Sequence, residues 1–260
     1  MLTKEEFLQS IRDSQESSVL LYVHGFATKF DDALYRLAQI KYDTAYDGIP
    51  IAFCWPSRGE MNLIDYNHDR DSVIASTNAF SELLQLLHTT AHVSKIYIVA
   101  HSMGSQVVVN SIAGSSDARK IPLAELVLAA PDISWEVFRA AAQQLTDAVK
   151  KVTLYASTTD QALRFSDTWN GAQTPRAGLL LSGTHQNVPS DIETIDVSAL
   201  GADMFGFAVN HDIPFRARSA LGDVGRLLRY GIHPPNDRSP GEILGVPEGS
   251  THPEYWIFPK

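Results

Sequence analysis

Cysteine is almost missing from this chain: Cys54 stands alone among 260 residues. No internal disulfide is possible, and a place at the end of the apolar run Ile51-Ala52-Phe53-Cys54 favours burial of the thiol over reactivity. Positive charge is also scarce. Twenty-one Lys and Arg face thirty Asp and Glu, leaving a net charge of -9, which argues against a polyanion-binding surface and against nucleic acid as a partner. No apolar stretch reaches the length of a membrane span, and Met1-Leu2-Thr3-Lys4-Glu5-Glu6 is too charged to open a signal peptide. The expectation is a soluble protein without stable membrane insertion, cytoplasmic by default. Repeats and low-complexity segments are absent as well. With 44% hydrophobic residues the chain can bury a full core as one domain, 1–260, in which 1–18 form an N-terminal helix and linker and 233–260 a Pro/Gly-rich tail. Nothing in the sequence fixes an oligomeric state.

What is present is an alternation of strand and helix patterns. Thr3 and Glu6 form a capping box before the apolar stripe Phe7, Leu8 and Ile11, which predicts a helix over 3–13. Val19–Val23 reads as a buried strand ending in His24-Gly25-Phe26, and a helix with Phe30, Ala33, Leu34, Leu37 and Ala38 on one side follows. Pro50–Trp55 is the next strand. The polar stretch Ser57–Arg70 reads as an irregular rim or lid, and a longer helix then carries Phe80, Leu83, Leu84 and Leu87. Beyond Gly104 come strands at Leu126–Ala130, Val152–Tyr155 and Ile192–Val197, with helices over 135–149, 161–167 and 219–230; Gly171–His185 resists placement. Such alternation implies an α/β fold, a mostly parallel sheet with helices on both faces, whose chemistry gathers where strands end.

Lys95–Asn110 holds the pattern around which the rest is organised. Ile96–Val99 form a β-branched and aromatic strand, and the residues after Ser102 continue as a helix without a breaker. A strand that turns into a helix at a serine strains that serine's backbone and exposes its hydroxyl, which requires small residues two before and two after. Ala100 and Gly104 satisfy this, giving Ala-His-Ser-Met-Gly as a nucleophile elbow with its first glycine replaced. Taken alone, the same turn fits an ordinary helix N-cap; the rest of the chain has to supply an oxyanion donor, a base and an acid.

A serine hydroxyl needs a base, and the base needs an orienting acid. His211 follows the last strand on a loop before the final helix, and its order behind serine and acid matches α/β hydrolases; His185 is the runner-up. His24 and His101 flank backbone turns and read as structural. Two aspartates lie just past strand ends: Asp160, at the usual acid position, is preferred, and Asp132 is the alternative. The oxyanion hole would be the N–H groups of Phe26, freed by the turn at Gly25, and Met103. His88 and His92 have metal-binding i, i+4 spacing but lack the adjacent glutamate of a zinc motif, so no metal and no cofactor is expected.

The run VHGF, FDDALYRLAQIKYD, WPSRG, Asp69-Arg70, AHSMGSQ, APDIS and LYASTTDQAL resembles an uncharacterised bacterial α/β-hydrolase family known only as esterase- or lipase-like, over about Val19–Tyr230. The resemblance implies an α/β-hydrolase fold and a triad of Ser102, Asp160 and His211. It also leads to the expectation that Met1 opens a domain of a longer chain. Two departures touch the pocket. Relatives often carry Tyr-Asn where this chain has Phe26-Ala27, and an aromatic residue soon after the late histidine where this chain has Asp212-Ile213-Pro214. The expected activity is hydrolysis of a small carboxylic ester through an acyl-enzyme, with an acyltransferase or a non-catalytic binding module on the same fold as alternatives.

Overall fold

The computed structural model describes residues 2–89, 93–121, 123–171, 175–180, 188–201 and 210–259. Helix α1 (Lys4–Asp13) begins on the capping box legible in the sequence: Thr3 Oγ1 accepts the Glu6 N–H and Glu6 Oε2 accepts the Thr3 N–H. The elements then follow as β1 (Ser18–Val23), α2 (Phe30–Asp43), β2 (Ile49–Phe53), α3 (Leu63–Thr89), β3 (Lys95–His101), α4 (Gly104–Gly114), β4 (Leu123–Ala129) and α5 (Trp135–Ala148). After these come β5 (Val152–Ala156), α6 (Gln161–Trp169), β6 (Ile192–Asp196), α7 (Ile213–Arg216), α8 (Arg218–Tyr230), α9 (Pro235–Arg238), β7 (Leu244–Val246) and β8 (Tyr255–Ile257).

Among the described residues the strands form one sheet in the order β2-β1-β3-β4-β5-β6-β8-β7, parallel throughout except for the β7–β8 pair. Because strand side chains alternate, each central strand feeds two cores. Val19, Leu21 and Val23 join Ile98, Ala100, Leu126 and Leu128 in a layer closed by α3, α4 and α5. Leu20, Tyr22, Val99, Val127 and Tyr155 point the other way, where α2 and α8 pack against each other and contribute Leu37, Ile40, Val224 and Leu227. Each fully buried aliphatic side chain stabilises such a layer by roughly 1.5–3 kcal/mol. The chain moves outward from β1 to β2 and then returns to place β3 on the opposite side of β1. This reversal opens a crevice at the C-terminal ends of β1 and β3, the place where open α/β sheets bind ligands.

Two segments differ from their sequence patterns. Most of the stretch expected as an irregular rim is helical: α3 begins at Leu63, with Asn62 Oδ1 accepting the Asp65 N–H at 2.9 Å, and only 54–62 remains irregular. The helical face was hidden because one of its buried positions is charged. Tyr66, Asp69 and Val73 all face inward, and Asp69 accepts Ser57 Oγ at 2.6 Å and the Arg58 N–H at 2.9 Å, pinning the loop after β2. The C-terminal tail does more than wrap the surface: β8 adds to the sheet beside β6, pairing Ile195 with Trp256, and β7 forms the edge. The tail's Trp256 and Phe258 are buried there.

Candidate active site

Ser102 follows the last residue of β3 and has φ 51°, a left-handed value that costs roughly 1–2 kcal/mol in an L-residue and survives only where surroundings enforce it. Here the enforcement comes from β4: the Ser102 N–H donates to Ala129 O and the Asp132 N–H donates to Ser102 O, both at 3.0 Å. Gly104 must be glycine, since a Cβ there would lie 2.2 Å from His24 O and 2.8 Å from Val23 O. At Gly25 a Cβ would come within 2.7 Å of Ser102 Cβ, so the end of β1 lies directly against the serine. Among the described residues no acceptor takes the N–H of Phe26 or of Met103, the two groups expected to stabilise an oxyanion.

His211 Nδ1 lies 2.7 Å from Asp160 Oδ2. Asp160 is wholly buried, and its other oxygen accepts the Leu163 N–H at 2.9 Å as the N-cap of α6, so one carboxylate fixes both the helix and the imidazole. Burial works against the charged form of His211. The charge and hydrogen bond of Asp160, with smaller contributions from Asp212 and Asp132, outweigh it and hold the pKa above the usual imidazole value. With Nδ1 donating to Asp160, Nε2 is left as the basic nitrogen. His211 and Ser102 border the same cavity, without a direct hydrogen bond between them among the described residues.

Asp132 is placed differently. Arg176 Nε donates to its Oδ1 at 2.6 Å, Ser166 Oγ to the same oxygen at 2.6 Å, and Tyr66 Oη to Oδ2 at 3.0 Å; Arg176 and Gln106 also reach its carbonyl. Its carboxylate is committed to this buried network and makes no hydrogen bond to His211 among the described residues. Of the two aspartates past strand ends, the structure brings only Asp160 to the histidine.

His24 and His101 sit in structural settings. The His24 ring stacks on Trp55 at 4.8 Å with both nitrogens near carbonyl oxygens, and burial lowers its pKa. His101 is pushed down to about 4 by burial and then by the neighbouring His211. Its Nε2 lies 3.3 Å from His211 O and 3.6 Å from Asp212 Oδ1. Asp212 in turn accepts Arg36 Nη2 at 2.8 Å. The residue before the serine is thus tied to the residue after the histidine, with α2 as the third anchor. Sequence reasoning missed this clasp, because its members lie far apart in the chain. His185 and His92 fall outside the described residues, as does most of 201–207. Among the described residues no three His, Cys, Asp or Glu side chains are grouped to hold a metal, and no helix is long and apolar enough to cross a membrane.

The cavity over Ser102 holds about 70 Å³ and opens to solvent. Its far wall is one face of α6, residues Ala162, Phe165, Ser166 and Trp169, at the i, i+3, i+4 spacing that puts side chains on one side of a helix. Sequence reasoning missed this wall, since the helix expected over 161–167 stops short of Trp169; an aspartate at the cap position before the helix is the signal that sets the spacing.

A family model described as "Alpha/beta hydrolase of unknown function (DUF900)" matches residues 2–218. An uncharacterised protein of Nostoc sp. (strain PCC 7120), alr1448, is 41% identical over 58 residues, which are 22% of this chain and only 15% of that protein. Among solved structures, a dienelactone hydrolase from Anabaena variabilis ATCC 29413 is similar with a TM-score of 0.43 at 11% identity, over 78% of this chain and 86% of the other. The phospholipase PlaB from Legionella pneumophila is similar with a TM-score of 0.28 at 11% identity, over 78% of this chain and 42% of the other. Likenesses this distant say nothing about activity here.

Proposed function

The chain belongs to the α/β hydrolases of unknown function (DUF900), and on that footing we propose that it is a serine hydrolase acting on small carboxylic esters. The observation that carries this reading is the 2.7 Å contact between His211 Nδ1 and Asp160, made at the edge of the same cavity that the strained Ser102 borders. In the proposed reaction Ser102 Oγ attacks the ester carbonyl carbon while His211 Nε2 takes its proton. The carbonyl oxygen becomes an oxyanion that receives the N–H groups of Phe26 and Met103. Asp160 holds the imidazole in orientation and favours its charged form. As the tetrahedral intermediate collapses, His211 returns the proton to the departing alkoxide, which leaves as the alcohol and an acyl-Ser102. Water then repeats the sequence, with His211 as base, and releases the carboxylic acid.

Strained backbone at Ser102, two N–H groups without acceptors beside it and a histidine with raised pKa all support this assignment. The test is covalent labelling by a fluorophosphonate. Wild type is expected to be labelled and Ser102→Ala to be unlabelled; a folded wild type that neither labels nor hydrolyses p-nitrophenyl acetate would overturn the proposal.

A further inference from the structure

Four aromatic rings line the cavity as a continuous series. Phe26 meets Tyr66 edge-on at 5.3 Å and 75°, Tyr66 meets Trp169 at 5.3 Å and 65°, and Trp169 meets Phe165 at 6.2 Å and 61°. Edge-to-face geometry is an arrangement that aromatic rings prefer, so a further ring entering beside this series can join it in the same way. The polar side chains of the wall are already engaged. Tyr66 and Ser166 donate to Asp132, and Asp132 is neutralised by Arg176, so none offers a free charge to a ligand.

No Lys or Arg lines the cavity among the described residues, and Arg70, near the same wall, donates to Asn170. The stretches 172–174, 181–187 and 202–209, which lie outside the described residues, contain no Lys or Arg in sequence. Asp132 lines the cavity already paired with Arg176, and the imidazole of His211 lines it already paired with Asp160. An anionic group entering here would lose its hydration and find no cation that lacks a carboxylate partner among the described residues.

Resting on the ester-hydrolase reading above, we propose that this cavity takes an uncharged, aromatic-sized group of the ester, seated against Phe26, Tyr66, Phe165 and Trp169. Ring-bearing neutral esters are then the substrate class, and esters that carry a carboxylate at the same position are rejected.

The experiment compares kcat/KM for methyl phenylacetate and benzyl acetate, which put the ring on the acyl or the alcohol side. Their para-carboxylates, methyl hexanoate, hexyl acetate and methyl acetate complete the set. At least one ring ester is expected to exceed methyl acetate by about tenfold or more and its own para-carboxylate by about a hundredfold. Trp169→Ala should reduce the ratio of ring ester to methyl acetate by about two- to tenfold, the worth of an aromatic contact. Phe165 is 45% exposed, so Phe165→Lys can place a cation at the mouth and is expected to raise kcat/KM for the para-carboxylate relative to the neutral ester.

Linear esters hydrolysed as well as ring esters would overturn the aromatic part of the proposal, and para-carboxylates hydrolysed as fast as their parents would overturn the charge part. If fluorophosphonate fails to label wild type, the hydrolase reading fails separately. The pocket is then judged by equilibrium binding of N-benzylacetamide against its para-carboxylate, followed by tryptophan fluorescence with Trp169→Phe as control. Tighter binding of the neutral amide supports the pocket, and equal binding of the two overturns it.

Discussion

His211 and His233 are alike in chemistry and opposite in place. Each imidazole lies within hydrogen-bonding distance of buried carboxylates, and in each the acids overcome the cost of burial and raise the pKa. His211 stands at the C-terminal edge of the sheet, beside a cavity and a strained serine. His233 stands at the other edge, between Glu125 at the start of β4 and Glu193 at the start of β6, at 3.2 and 2.6 Å. Around it Arg238, fully buried, joins Glu193 to Asp223, which also accepts Tyr155 and Ser239. That cluster fastens α9 and the tail to the sheet. A histidine–carboxylate pair is therefore not a catalytic sign by itself. What separates the two is the strained serine and the space in front of one ring, against satisfied partners on both nitrogens of the other.

The strongest way to break this contrast is to exchange the two histidines' expected roles. His211→Gln is expected to lower esterase kcat/KM by about 10³–10⁴, while stability stays within about 1 kcal/mol because the glutamine amide can still donate to Asp160. Asp160→Asn should cost activity on a similar scale. Asp132→Asn should act mainly on stability, by leaving Arg176 buried without its carboxylate. A variant series in which only Asp132→Asn abolishes turnover would reverse the acid assignment.

His233→Gln should do the converse: about 2 kcal/mol less stability in denaturant titrations, with kcat/KM essentially unchanged. Because the folded-state pKa of His233 is raised, its contribution is complete below the unfolded value of about 6.5 and is lost as pH rises through the folded value. Stability of the wild type should fall over that window, and the variant should show a shallower slope. Activity should run the other way, since it needs neutral His211 and so rises with pH through that group's raised pKa.

A smaller effect sharpens the catalytic side. Asp212→Asn removes one of the charges that raise the His211 pKa and loosens the tie to His101 and Arg36. About tenfold lower kcat is expected, with the acidic limb of the pH profile moved to lower pH; an unmoved limb would mean that Asp212 serves only the fold. The smallest effect concerns Ala27, held at φ 53°. Ala27→Gly is expected to stabilise by about 1 kcal/mol in thermal or chemical melts.

Much of the fold was legible because strands and helices write their periods into apolar residues: the runs at β1, β3, β4 and β5 and the stripe of α8 needed no long-range information. The elbow was legible because its two small positions follow from local sterics at Ser102. Asp160 and His211 were legible as positions past strand ends and were expected as partners from their order in the chain and from the family resemblance, while the residues alone left Asp132 open. The start of α3 escaped because buried Asp69 breaks the apolar stripe, and the β7–β8 hairpin because three-residue strands carry almost no periodicity. Arg176 could not be assigned to Asp132, nor Arg36 to Asp212, since pairing across 44 or 176 positions depends on how layers are stacked and leaves no mark in the local pattern.

Helix α6 carries two duties. Its cap residue Asp160 lies against the histidine, Leu163 is buried and also borders the cavity, and Ala162, Phe165 and Trp169 line the cavity from less buried positions. Substitutions along that outer face can re-cut the shape presented to a substrate while the cap and the inward contact keep the helix seated. A library confined to those three positions, spread over about two turns of helix, can therefore vary the cavity wall while Asp160, the cap, is left in place.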